Sequence, residues 1–526
     1  MRCFAGRIAL VALATGLAVG AVQAQDAEPK NGGVGRLVVQ GEPNTYDCHA
    51  TATAYDLQLL SQHYSTLLRY DTASYPEITG DLATGWNVSE DGLTYTFDLR
   101  QDVTFHDGSR LTSADIKASY DRLRNPPEGV VSARKVEFAD IASIETPDED
   151  TVVFRLKQPN GAMLATFASP WNCIYSAAKL EADPQFPAKN ILGTGAFRFI
   201  SHDIGSGWRG ERYDGFYVEG QPYLDGFEAS FLTGAGLMNA LLGKQVDMFL
   251  NSIMPADRER LEQTRGDDVA FQVSDLNIMM MVAVNTTKPP FSDERVRRAL
   301  NLAIDRHQGA EVLSKISNLN SFGTLLRPSH PLVSAPETWQ ALPGNGKNIA
   351  AAREEARKLL AEAGVPDLKI EMLSRNIRVP WEVLGIYLID QWRQIGVTVE
   401  QTILEPGPYF ARLKEKNYDI AIDFNTLSGE DPNEALAKFL PTSANNYTGY
   451  SDDRLAALYE EQKAASDPEA RRALISQFEE RVAGAAANIP LFWAKRTSVL
   501  NADIKGWHIT PSFIVGNRLD AVWIDD

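Results

Sequence analysis

Residues 277–284 (NIMMMVAV) form an unbroken apolar run of strand length, the pattern of a strand buried on both faces. Pro289 and Pro290 end it. Ser292 is placed to cap a following helix whose apolar residues Val296, Ala299, Leu300, Ala303 and Ile304 recur at helical spacing. Phe291 and Val296 are placed as a hydrophobic staple. A buried strand feeding a capped helix is half of a crossover unit, and a second sheet can begin here. The alternative is an ordinary strand and helix inside one large domain.

The same periodicities divide the rest of the chain. Ahead of this stretch they predict a strand at 35–40, a loop at 41–50 and a helix over 55–68. A hairpin follows, 82–88 and 93–99 about the turn Ser89-Glu90-Asp91-Gly92, and then a helix capped at Thr112 or Ser113 with Asp115 in its first turn. Further on come a strand at 151–156, a helix at 161–168, a strand beginning at 193 and a helix at 234–242 stopped by Gly243. Gly205 to Gly210 fits GxGxxG, but the strand-like ERYDGFYV follows where a dinucleotide site needs a helix, so the run reads as a hairpin loop. Beyond mid-chain, helices at 350–363 and 380–395 alternate with strands at 368–373, 397–403 and 418–424. That alternation is the signature of a parallel sheet with crossover helices. A helix at 452–462 and an extended apolar segment at 488–499 complete the pattern.

At 526 residues the chain is too long for one core, so two or three domains are expected. Its 44% apolar and 23% charged content is ordinary for a globular protein. The formal net charge of −18 repels nucleic acid and anionic membrane, and neither is expected as a partner. The first 24 residues differ from the rest: Arg2 and Arg7, then a short apolar core at 8–19, then small residues at 22–24. This reads as a cleavable secretory signal, too short to span a bilayer. Cys3 lies ahead of the apolar core, so it is not placed for lipid attachment, and a soluble exported protein is expected. Two cysteines remain after cleavage, Cys48 and Cys173, either as a disulfide or as two separate buried thiols. The chain carries no HExxH and no GxSxG, and its seven histidines are scattered singly. No metal site, cofactor or catalytic residue is therefore expected.

The run at 82–123, LATGWNVSEDGLTYTFDLRQDVTFHDGSRLTSADIKASYDRL, resembles the signature of the family 5 solute-binding proteins of ABC importers, the peptide- and nickel-binding group. The likeness continues in GTGAFRF (193–199), ERYDGFYVEGQPYLD (211–225), NTTKPPFSDERVRRALNLAIDR (285–306), ARKLLAEAG (356–364) and QWRQIGVTV (391–399), in that family's order and spacing. The resemblance implies an α/β clamshell, the large type II periplasmic binding fold, with an extra α/β subdomain in its first lobe. The expected division is a signal at 1–24, lobe I at 25–66 and 171–276, the subdomain at 67–170, lobe II at 277–490, and a return to lobe I at 491–526. Two crossings would make a hinge.

The resemblance also implies a site. Tyr46, Cys48, His49 and Tyr55 lie in a segment that lines the pocket in family members, and Trp171 and Asn172 beside Cys173 are further candidates. Arg375 ends a strand, where ligands bind in α/β sheets. Its place before Trp392 resembles that of the arginine holding the ligand carboxylate in dipeptide-binding members, a bidentate, charge-assisted pair. Asn425, Thr426, Leu427, Ser428, Glu430 and Asp431 follow the 418–424 strand. Peptide-binding members carry an aspartate four residues before Pro432, where this chain has Ser428, so the strongest anchor for a peptide amino terminus is missing; Glu430 and Asp431 are its substitutes. Asn446 and Tyr447 are the remaining candidates. The function implied is capture of a small solute, a peptide or an amino-acid-like, carboxylate-bearing compound, in the periplasm. A monomer would deliver it to an inner-membrane permease and its ATPase. An exported hydrolase and a ligand sensor for a membrane receptor are the alternatives.

Overall fold

The computed structural model describes residues 28–427, 429–465 and 467–525; the leader at 1–24 lies outside them. The apolar run at mid-chain is the second half of a sixteen-residue strand, Val269–Val284. From Met279 to Val284 its residues are buried on both faces, which is why the stretch carries no alternation. It runs antiparallel to Asn488–Asn501 for almost the whole length of both, Val269 opposite Asn501 and Ala283 opposite Asn488. This pair is the spine of an eleven-stranded sheet.

On one side of the spine the sheet continues through Met248–Phe249, Val34–Val39, Gly226–Phe231, Gly207–Arg212 and Phe197–Asp203. On the other side it continues through Ile420–Thr426, Lys369–Arg375 and Thr398–Leu404, the last three mutually parallel. Of the separate cores around these wings, the two largest lie on opposite sides. One gathers Leu37, Phe97, Trp208 and Phe227 with Leu519 from the far end of the chain; the other gathers Val282, Leu300, Met372, Trp392 and Ile422. The backbone thus passes between the two halves along two adjacent strands, and their register shifts between Asp275 and Met279, midway along. A pleated ladder interrupted at one level is a local weak point at which a sheet can flex.

The four-stranded sheet Ala83–Val88, Thr94–Leu99, Thr151–Leu156, Ile141–Asp148 stands apart from the large one. Helix Ser113–Arg124 covers it, its start fixed by a capping box in which the amide of Thr112 donates to Asp115 at 2.7 Å. Edge-to-face packing of Tyr120 on Phe154 and Phe167, at 5.1 and 5.6 Å, closes this small core. The GxGxxG run is a hairpin between Phe197–Asp203 and Gly207–Arg212, with Gly205 at φ +72° in its turn. Cys48 and Cys173 are joined as a disulfide.

Two local expectations are corrected. The helix after mid-chain is capped by Asp293, whose carboxylate accepts from the Arg295 amide at 2.8 Å, and not by Ser292; it covers Glu294–Leu302, one turn shorter than the apolar spacing suggests. The helix expected over 55–68 spans only Ala54–Leu60. Past Leu60 the carbonyls of Gln62 and His63 accept from the amides of Phe197 and Gly195. The His63 ring meanwhile bridges the Phe197 carbonyl at 2.7 Å and the Trp208 indole at 2.9 Å. Long-range partners outbid the helical pattern here, and Leu68–Tyr70 is a strand.

Candidate functional site

A cavity of about 340 Å³ opens between the two halves of the chain. Trp171, Glu137 and Asp140 line it from the N-terminal half, and Asp431, Glu434 and Lys463 from the C-terminal half. At Tyr70, Pro170, Ile514 and Val515 it meets a second chamber of about 470 Å³ on the N-terminal side, walled by Tyr64, Arg69, Trp507, Arg518 and Asp520. The halves touch around the cleft. Lys463 Nζ lies 3.1 Å from Asp140, Gly161 N donates to the Lys463 carbonyl at 3.3 Å, and the Tyr75 hydroxyl donates to Glu430 at 2.5 Å.

Of the residues singled out from sequence, Trp171 and Asp431 line this cleft. Trp171 is buried under the Arg134 guanidinium, 4.1 Å from its ring centroid. Asp431 pairs with Arg471 at 2.8 Å and accepts from the Asn433 amide at 2.9 Å. Glu430 is held by Arg327 through contacts of 2.7 and 2.9 Å. Asn425 donates to the Ala435 carbonyl at 3.0 Å, Thr426 pairs with Ile278, and the amide of buried Leu427 donates to Asn277 O at 3.1 Å. These contacts fix the loop that floors the cleft; Ser428, within that loop, lies outside the described residues.

The early candidates are built into the N-terminal core. Tyr46 Oη lies 2.9 Å from His202 Nδ1, with its ring edge-on to Trp208. The amide of Cys48 donates to Tyr175 Oη. His49 sits between the Cys173 carbonyl, 2.9 Å, and Arg122, 3.1 Å, and burial pushes its imidazole down to about 4. Tyr55 packs on Gly41, where any Cβ would meet its ring at 2.6 Å. Asn172 donates to the Thr166 carbonyl at 2.6 Å. In the C-terminal half, Asn446 donates to the carbonyls of Leu440 and Tyr450, and the Tyr447 hydroxyl donates to Asn445.

Arg375 is different. It ends the Lys369–Arg375 strand, level with Asp423 of the neighbouring strand whose continuation is the cleft-floor loop. Its guanidinium lies over Trp381 at 4.8 Å and Phe410 at 5.4 Å, measured to the ring centroids. Among the described residues it forms no ion pair, and its Nε is buried without a hydrogen-bond partner. Burial disfavours its charge and lowers its pKa. Arg375 lines neither of the two chambers described above.

The chamber wall carries a compensated network. Arg69 and Arg518 reach Asp520 at 2.8 and 3.2 Å, and Arg518 reaches Asp81 at 2.7 Å. Burial alone would raise Asp520, but the two guanidinia hold it below the usual carboxylate range. At the cleft rim Glu137 is exposed; partial desolvation raises its carboxyl above the usual carboxylate range, with Arg134 opposing the rise and Glu434 adding to it. Sequence reasoning passed over Tyr70, Glu137, Asp140, Glu434 and Lys463. They sit on no shared motif, and only the docking of the two halves brings Asp140 within reach of a lysine 323 positions away. Among the described residues no cluster of histidine, cysteine and carboxylate is arranged to hold a metal ion, and no helix is long and apolar enough to cross a membrane.

The profile of the bacterial extracellular solute-binding proteins, family 5 Middle, matches residues 77–447. The glutathione-binding protein GsiB of Salmonella typhimurium is 27% identical over 443 residues, covering 82% of this chain and 83% of that protein. The dipeptide-binding protein of Escherichia coli K12 is 25% identical over 510 residues, covering 90% and 91%. The ABC transporter substrate-binding protein CtaP of Listeria monocytogenes superposes with a TM-score of 0.82 at 21% identity, over 94% of this chain and all of that one. Because the profile runs unbroken from the four-stranded sheet to the loops that floor the cleft, the chain belongs to the bacterial extracellular solute-binding proteins, family 5.

Proposed function

We propose that the chain is the periplasmic solute-binding component of an ABC importer. It closes its two halves on a small peptide or amino-acid-like solute bearing a carboxylate, and hands the closed form to an inner-membrane permease and its ATPase. The observation that carries this reading is the construction of the cleft: cores on either side joined by two adjacent long strands, with a solvent-open cavity between them. Contacts made to both halves at once favour the closed form, and only such contacts couple binding to closure. The Val269–Val284 and Asn488–Asn501 strands, at their shared register shift, serve as the hinge. Arg375 takes the carboxylate of the solute. The leader at 1–24 directs export and is removed, and the mature chain acts as a monomer without cofactor, capturing and releasing its solute unchanged.

Relatives that bind glutathione and dipeptides support a peptide-sized ligand. The serine at 428 removes the carboxylate that peptide-binding members place there, so the ligand amine needs another partner. The experiment that tests the reading is mass spectrometry of the solute that co-purifies with the exported chain, released by mild denaturation. A carboxylate-bearing compound of peptide size is expected; a recovered turnover product of an added substrate would replace capture with catalysis.

A further inference from the structure

One helix of the C-terminal half ends against the opposite half. It spans Asp453–Ala464, and its Leu455 and Leu458 are buried in one cluster with Ile475 and Phe478. The last carbonyls of a helix have no partner within it. Here the carbonyl of Lys463 accepts from the Gly161 amide at 3.3 Å, so the turn that follows strand Thr151–Leu156 of the N-terminal half caps this helix. The Lys463 ammonium reaches Asp140 at 3.1 Å, the two side chains being 19% and 18% exposed. Asp140 is set in place by its own half. Its carboxylate also accepts from Asn160 Nδ2 and from Gln158 Nε2, each at 3.1 Å.

A second observation is independent of these bonds. A Cβ placed on Gly161 would lie 3.3 Å from the Ala465 carbonyl oxygen and 3.5 Å from that of Lys463, both on the opposite half. Gly161 does not have a positive φ, so its own backbone does not call for glycine. What the missing side chain permits is the close approach of the other half.

Resting on the reading that the two halves close on a solute, we propose that the Gly161 turn and the end of the Asp453–Ala464 helix form a clasp that favours the closed form through bonds running from half to half, none of them to the solute. In the open form the Lys463 carbonyl and the Asp140 carboxylate face water instead. A solute that needs the closed form binds with an apparent Kd equal to its intrinsic Kd divided by the closed fraction. Loosening the clasp lowers that fraction and weakens every solute by one common factor, whatever its chemistry. A residue that binds solute directly behaves otherwise: its loss weakens the solutes that carry its partner group and spares the rest. Gly161 is thereby a positioning residue, acting on affinity through the half it faces.

The test titrates the full mature chain, stripped of bound solute, with glutathione and with alanyl-alanine, as wild type and as Gly161→Val. The substitution removes no polar group and sets a branched side chain against the Ala465 and Lys463 carbonyls. Kd should rise about three- to tenfold, the range of one net hydrogen bond, and by the same factor for both probes. The dissociation rate, followed by stopped flow, should carry most of the rise, because release requires opening. The denaturation midpoint of the stripped chain should be unchanged, since the clasp acts in the closed form. Should Gly161→Val lower that midpoint, Gly161→Ala decides, because its one Cβ meets only the two carbonyls of the opposite half; a rise in Kd common to both probes is again expected. An unchanged Kd, or clearly different factors for the two probes, overturns the clasp and leaves solute capture standing. If the wild type binds neither probe, the peptide reading and this inference fall together.

Discussion

Replacing Arg375 with alanine separates a binding arginine from a structural one. In the free protein its guanidinium touches two aromatic faces, 4.8 and 5.4 Å from the centroids of Trp381 and Phe410, and has no carboxylate partner among the described residues. Cation–π contacts of this kind contribute about 0.5–2 kcal/mol, and desolvation of the charge opposes them, as the lowered pKa records. The net effect of the substitution on folding should therefore stay within about 1 kcal/mol. The effect on binding should be larger. A hydrogen bond to a charged group is worth roughly 1.5–3 kcal/mol, which is about a 10- to 150-fold rise in Kd. Arg375→Lys should recover only part of this, because an ammonium lacks the planar fork and stacks less well. The assay is calorimetric titration of wild type and both variants with a carboxylate ligand and its amide, alongside thermal denaturation. Amidation and the alanine substitution should be strongly non-additive, since each removes the same pair. Unchanged affinity in Arg375→Ala, or additive losses, would remove Arg375 from the site.

Further outcomes follow from the same structure. The Cys48–Cys173 disulfide closes a loop with a sequence separation of 125, and in the chain-entropy model its loss destabilises by about 5 kcal/mol; a double serine variant with an unchanged denaturation midpoint would contradict this. Glu479 is buried with its carboxyl raised to about 7, and it accepts from Ser334 Oγ and the Leu325 amide. Its contribution is present at low pH and lost as pH rises through about 7, so Glu479→Gln should gain stability over wild type from pH 5 to pH 8, by up to about 3 kcal/mol. A constant difference in Tm across that range would refute the assignment. His49, His63, His106 and His330 are buried and held neutral, with burial pushing them down to about 4, 3, 4 and 4. Their contribution is present above pH 6.5 and is lost as pH falls toward 4. Together they outweigh the opposing carboxyls, and a Tm that did not fall between pH 6.5 and 4 would count against neutral burial.

The parts of the fold legible in the sequence are those whose pattern is set locally or by burial on both faces. The turn at Ser89 to Gly92, the capping box at Thr112 and Asp115 and the helix stop at Gly243 are near-neighbour chemistry. The run at 277–284 announces itself by having no polar face. Its first half does not: residues 269–275 are mostly half-exposed and mixed in character, so the strand reads shorter than it is. The helix at Ala54–Leu60 stops where Gln62 and His63 meet strands well over a hundred residues away, which no local spacing records. The site was less legible for the same reason. Trp171 and Asp431 line the cleft, but the aromatic and polar residues of the early loop are engaged with the N-terminal core, as His49 is with Cys173 and Arg122. What makes the cleft polar, Glu137 against Glu434 and Asp140 against Lys463, exists only once the halves dock.

The claim on which the rest depends is that two rigid halves close on a solute about the Val269–Val284 and Asn488–Asn501 strands. Small-angle X-ray scattering of the stripped mature chain, before and after saturation with the solute recovered from it, measures this directly. The account predicts a smaller radius of gyration on saturation with no change of molecular mass. An identical scattering profile with the site demonstrably filled would contradict it.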